Sequence, residues 1–250
     1  MCCFSGKVNY VKATKIFARA TDKGDEQFVV YSMELGSKSD VAMILPIPVK
    51  PATGERAVKF VSLEGYPRFF RDMQKGFPTP PAARRKSKPA RGGLITDSKL
   101  AVVSVGSFEA SFVPTVNDFD RLDERFRLPA GTWDKLPAYA KYGFAVFKLK
   151  KGNQKVHPMA FKFPRANRRK LFFPTVHIHD GQVHAQAKFD HILYCQLGDF
   201  DAPPMHGWRE SPGHPNSFMQ VDKTKKIVKP DAHCYRIRMA GTLKNRDTLV

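Results

Sequence analysis

Four of the chain's eight histidines fall within 19 residues, "FPTVHIHDGQVHAQAKFDH", at His177, His179, His184 and His191. Imidazole is a general base, a proton carrier and the commonest transition-metal ligand, so such a density raises a metal or catalytic site first. The dipeptide Asp180–Gly181 between two alternating runs predicts a β-hairpin turn. A two- or four-residue connection sets His177 opposite His184 and places His177, His179 and His184 on one face of the hairpin. Three imidazoles converging on one point suit a divalent transition metal, Zn²⁺, Fe²⁺ or Cu²⁺, with a coordination position left for water. A metal there would bring the pKa of its water to about 7 and make it a nucleophile. A three-residue connection would instead send His184 to the other face, and histidines on the solvent face of a sheet are ordinary. On an unbroken strand His191 lies opposite to His184, with Phe189 and Cys195.

A His-x-His step on a strand resembles the start of a cupin metal motif. That family expects a glutamate a few residues later, and none occurs between His179 and Trp208, so the cupin assignment fails at its second element.

A second candidate is the pair Cys2–Cys3. Removal of Met1 would expose the Cys2 thiol beside its own α-amine, a nucleophile and a base in one residue. A thiolate at Cys2 or Cys3 could also meet a hairpin histidine or complete a metal site. The simpler reading is two thiols with no chemical role. The chain has four cysteines and no CxxC pair, which excludes a zinc ribbon. Vicinal geometry strains a Cys2–Cys3 disulfide, and a reducing compartment leaves all four as thiols.

The third candidate is charge. Forty-two Lys and Arg against 23 Asp and Glu leave a net +19, enough to draw the chain to nucleic acid or another polyanion at low salt. The candidate contacts are Arg84, Arg85, Lys86, Lys88 and Arg91 in one run, and Arg165, Arg168, Arg169 and Lys170 in another. No RNA-recognition, KH, helix-turn-helix or zinc-finger signature accompanies them. Dinucleotide, P-loop, serine-hydrolase and zincin motifs are also missing. The sequence therefore names neither a reaction nor a substrate. It leaves three classes: a small metal or catalytic protein, a basic binding protein, and a subunit of a larger assembly.

These residues need elements to position them. Alternation over 14–46 predicts three strands with turns at 22–24 and 36–39, the third ending near Pro46 and Pro48. "LEGYPRFFRDMQKGF" has helical spacing at Tyr66, Phe69, Phe70 and Met73 and stops near Gly76. Residues 77–93, rich in proline and cation, read as a linker or long loop. They divide the chain into an N-terminal part, 1–76, and a C-terminal part, 94–250, or form an insertion in one domain. Beyond them the pattern predicts two strands about Gly106, helices over 117–128 (capped by Asn117) and 133–142, then consecutive antiparallel strands and a last strand near 232–240. The fold class is α+β, mainly antiparallel β-sheet with a few short helices. No apolar run reaches membrane-spanning length and the first residues have no secretory pattern, so the expected location is the cytoplasm.

"MILPIPV", "VGSFEASFVPTVNDFDRL", "LPAYAKYGFAVFKLKK" and "KLFFPTVHI", with the Cys pair at the start, occur in an order that resembles an uncharacterised bacterial domain-of-unknown-function family. The resemblance covers most of residues 2–180. It implies an α+β fold and no activity.

Overall fold

The computed structural model describes residues 3–78, 103–105, 108–129, 131–155, 157–178, 182–199, 201 and 206–250. In chain order the strands are β1 (Cys3–Phe4), β2 (Tyr10–Ala20), β3 (Glu26–Ser37), β4 (Val41–Ile47) and β5 (Lys59–Ser62), followed by helix α1 (Phe69–Lys75). Next come β6 (Val103–Val105), β7 (Phe108–Val113), β8 (Gly143–Leu149), β9 (Gly152–Lys155), β10 (Met159–Pro164) and β11 (Phe172–Phe173). The chain closes with β12 (Gln186–Gln196), β13 (Arg209–Glu210), β14 (Tyr235–Lys244) and β15 (Thr248–Leu249).

Five strands form one sheet in the order β1-β4-β8-β7-β6. The larger sheet runs β13-β14-β12-β2-β3-β10-β5, with β9 also on β3, and β11 pairs with β15. Among the described residues every named pair is antiparallel except β12 with β2. The fold is α+β and mainly antiparallel, as the alternation predicts. Both larger sheets draw strands from before and after residues 77–93, so the N- and C-terminal parts share their sheets.

Alternation along the central strands explains the layering. On β2, Ile16 and Ala18 join the main core while Phe17 turns to a second cluster; on β12, Leu193 and Cys195 join the first and Tyr194 the second. One face of the large sheet therefore packs on the five-stranded sheet. There Phe147 of β8 meets Phe60 and Phe161 at ring distances of 5.5 and 5.9 Å. The other face carries α1, through Phe17–Phe69 at 5.7 Å and Phe70–Tyr194 at 6.0 Å. A helix of seven residues is too short to persist alone. Burial of Phe69, Phe70 and Met73, at about 1.5–3 kcal/mol each, holds it against the sheet.

Two sequence expectations are corrected here. Residues 117–128 and 133–142 form not α-helices but 3-10 turns, Val116–Arg121, Glu124–Phe126, Trp133–Lys135 and Pro137–Tyr139. Thr115 rather than Asn117 caps the first, in a capping box with Asp118. Leu122 and Arg127 have extended backbone that interrupts any longer helix, and Pro137 starts a new turn. Gly143 does not simply close the last turn. It opens β8, and a Cβ there would lie 2.5 Å from the Phe112 ring, so only glycine lets the two strands approach.

Candidate functional site

The histidine stretch begins beside the N-terminal strand. Cys3 forms a bridge with Ile178, and the Phe4 amide donates to the Ile178 carbonyl at 3.3 Å. Asn245, just past β14, links the residues on either side of 179–181. Its Oδ1 accepts from the His177 amide at 2.6 Å, and its Nδ2 donates to the His177 and His184 carbonyls at 2.8 and 2.9 Å. His177 and His184 are thus neighbours through their backbones. His184 is exposed and lies outside any strand. The His177 ring packs on Phe189 at 4.5 Å and on His191 at 4.8 Å.

The expected pairing of His177 with His184 across a ladder is therefore corrected, and so is the isolation of His191. The structure brings His191, only 2% exposed, against His177. The reason is non-local. β12 begins only at Gln186 and its partners are β14 and β2, with His191 opposite Met239 and Thr14. Phe189, His191 and Cys195 do share a face of β12, as their spacing predicts. His179, with Asp180 and Gly181, lies outside the described residues. Among the described residues no three His, Cys, Asp or Glu side chains come together to hold a metal ion.

Cys2 lies outside the described residues. Cys3 is in β1 and fully buried, out of reach of a substrate. Cys195 and Cys234 are buried thiols as well. Burial pushes the Cys234 thiol up to about 12 and the Cys195 thiol well above its ordinary value. Neither forms thiolate at neutral pH, so both behave as small apolar side chains.

Next to Cys3 lies a polar network that the sequence did not announce. Asp247 Oδ1 accepts the Thr175 and Val176 amides at 2.7 and 2.9 Å, and Oδ2 accepts the Tyr139 hydroxyl at 2.7 Å. Burial raises the Asp247 carboxyl above the usual range and outweighs these three donors. Burial and the charge of Asp247 raise Tyr139 in turn. The arrangement ties the C-terminal residues to the segment that follows β11. In sequence, "KNRDT" is only a polar turn after a strand, with no local mark of this role.

The basic candidates separate. Arg84, Arg85, Lys86, Lys88 and Arg91 lie outside the described residues. Arg168, Arg169 and Lys170 are exposed. Arg165 is not part of that surface. It is 2% exposed, pairs with Asp201 at 2.9 Å and donates to the Gly24 and Lys170 carbonyls. At the edge of the 79–102 segment, Phe77 is fully buried and the Pro78 carbonyl accepts from Arg209 at 2.7 Å; at the other, β6 is held on β7. Among the described residues no helix is long and apolar enough to cross a membrane.

No family model and no curated protein matches the chain. Solved structures do. The crystal structure of the caspase-8/P35 complex aligns with 95% of this chain and 95% of that chain at 13% identity and a TM-score of 0.48. A mutated baculovirus P35 after caspase cleavage aligns with 94% and 96% at 12% identity and a TM-score of 0.42. The crystal structure of baculovirus P35 itself aligns with 99% of this chain and 98% of that chain at 14% identity, with a TM-score of 0.53. From end to end, the chain has a fold similar to that of baculovirus P35.

Proposed function

We propose that the chain is a protein-binding partner of a caspase-type cysteine protease, which it engages as a substrate does. The observation that carries this reading is the likeness of fold to baculovirus P35 over 99% of this chain and 98% of that one. Solved structures include a mutated baculovirus P35 after caspase cleavage and a caspase-8/P35 complex. A second feature supports it. A caspase is an aspartate-directed protease, so its substrate must offer an aspartate in a stretch that can be threaded through a cleft. The aspartates of the described strands and turns include Asp190, Asp201 and Asp247, each tied by hydrogen bonds. Residues 79–102 contain a single acid, Asp97, in "LITDS", among six cations. On sequence, a stretch this rich in proline, glycine and charge has too little apolar surface to form a core of its own. In this reading the chain needs no nucleophile or metal of its own, because the protease supplies the thiolate that attacks the Asp97 carbonyl.

Incubation with purified caspase-8, followed by intact-mass measurement, tests the proposal. The expected result is one cut, after Asp97, or a stable complex, with both lost in Asp97→Ala. A chain that is neither cut nor bound at micromolar protease sinks the reading.

A second reading rests on the exposed run Arg168, Arg169 and Lys170 and the net +19: contact with nucleic acid or another polyanion. Binding of a labelled duplex should fall steeply between low and physiological salt. Arg168→Gln with Arg169→Gln should flatten that slope by about one unit for each phosphate no longer neutralised. Binding that ignores salt counts against it.

A further inference from the structure

The helix-bearing face of the large sheet is only partly covered. Lys15 of β2, Ile192 of β12 and Arg238 of β14 are direct cross-strand partners, so they form one row and project to one face. The next row is Phe17, Tyr194 and Arg236 on the same strands. Helix α1 packs on Phe17 and Tyr194, and Gln74 in its last turn accepts the Tyr194 hydroxyl at 2.5 Å. At this end of the helix a cavity of about 310 Å³ opens between it and the three strands. Lys15, Arg236, Arg238, Asp190, Gln74 and Ile192 line it.

Three cations meet one acid there. Asp190 is itself engaged, because its Oδ2 accepts the Ala13 amide at 3.1 Å. That contact depends on local distortion. The β2–β3 register shifts between Lys12 and Lys15, and Ala13 takes a left-handed φ of 53°. Such a conformation costs about 1 kcal/mol or more in a non-glycine residue. Like charges directly across a sheet also destabilise it, yet Lys15 and Arg238 flank Ile192 in a single row. The Arg236 guanidinium lies 5.3 Å from the Phe77 ring centroid. An arginine fork matches an oxyanion by paired N–H donors, and Lys15 adds a point charge. The apolar Ile192 floor accepts the body of a small molecule.

We infer that this pocket binds a small polyvalent oxyanion, a phosphate- or carboxylate-bearing group seated between Lys15, Arg236 and Arg238. The inference rests on these residues alone and stands apart from protease binding. Isothermal titration of the full chain with inorganic pyrophosphate and, separately, with citrate tests it. Wild type should bind at least one of them; the better binder tells phosphate from carboxylate. Arg238→Gln, and independently Arg236→Gln, should weaken that binding roughly tenfold or more. Lys50→Gln, which removes the same charge from an exposed site elsewhere, should bind as wild type does. Unchanged melting temperature and circular dichroism establish that the variants fold. If neither anion binds, or if Lys50→Gln weakens binding as much as Arg238→Gln, the pocket is not a site and the attraction is only that of the net charge.

Discussion

Asp247 governs the corner where the C-terminal residues meet Thr175, Val176 and Tyr139. Its carboxylate has three protein donors, yet burial keeps its pKa above the ordinary 3.8. The folded state therefore holds the proton more tightly than the unfolded chain does. Between the ordinary carboxylate pKa and the raised folded one, stability falls as pH rises, and above that window the cost is constant. Asp247→Asn should remove this slope, since its amide oxygen can still accept the Thr175 and Val176 amides. Asp247→Ala leaves those amides and the Tyr139 hydroxyl without their acceptor and should cost about 1–3 kcal/mol. Urea unfolding of both variants from about pH 4 to pH 7 checks the prediction; a wild-type slope preserved in Asp247→Asn would refute it. Asn245 works beside it by shape rather than charge, one amide side chain bonding both His177 and His184. Neither residue could be selected from the sequence, because the groups they meet are about 70 positions away along the chain.

At the level of elements, a polar tie at Asp72 supplements the apolar contacts of α1. The Tyr66 hydroxyl donates to Asp72 Oδ2 at 3.0 Å and accepts the Gln220 amide at 2.9 Å, while Lys75 reaches Asp72 Oδ1 at 2.7 Å. Burial pushes the Asp72 carboxyl up, but Lys75 and Tyr66 together bring it below its ordinary value. Its contribution is thus present above the ordinary carboxylate pKa and is lost as pH falls through the folded one. Tyr66→Phe leaves the Asp72 oxygen and the Gln220 amide without this partner. We expect it to cost about 1–3 kcal/mol by urea unfolding and to weaken protection of the 69–75 amides from hydrogen exchange. Full protection of those amides would show that the apolar contacts alone secure the helix. The spacing of Phe69, Phe70 and Met73 made this helix legible. The 3-10 turns were misread because apolar residues three apart suit a 3-10 turn as well as an α-helix.

Across the whole molecule, both larger sheets are stitched from distant strands, so their cores should open together. Cys3 in the five-stranded sheet, and Cys195 and Cys234, which are neighbours across the β12–β14 pair of the large sheet, are all fully buried. A thiol reagent should therefore modify at most one of the four cysteines in the native protein. The other three should react in step with global unfolding by urea. Reaction of Cys3 well before Cys195 would reveal a separately opening N-terminal edge. The same interleaving explains why residues 77–93 looked like a domain boundary. Composition marks a segment that cannot form core, but only pairing shows whether the flanking strands return to one sheet.

What the sequence by itself determined is local. Alternation specified β2, β3 and β4, and helical spacing specified α1. The α+β class followed from these periods, since each depends only on a residue's near neighbours. Tertiary structure alone decided which strand met which. Asp180–Gly181 could suggest a turn, but the parallel pairing of β12 with β2 joins residues more than 170 positions apart. That pairing set His191 against His177 and left His184 outside. It also aligned Lys15 with Arg238 across Ile192. Charges and imidazoles are visible in a sequence, whereas their convergence depends on long-range register, which no local pattern encodes.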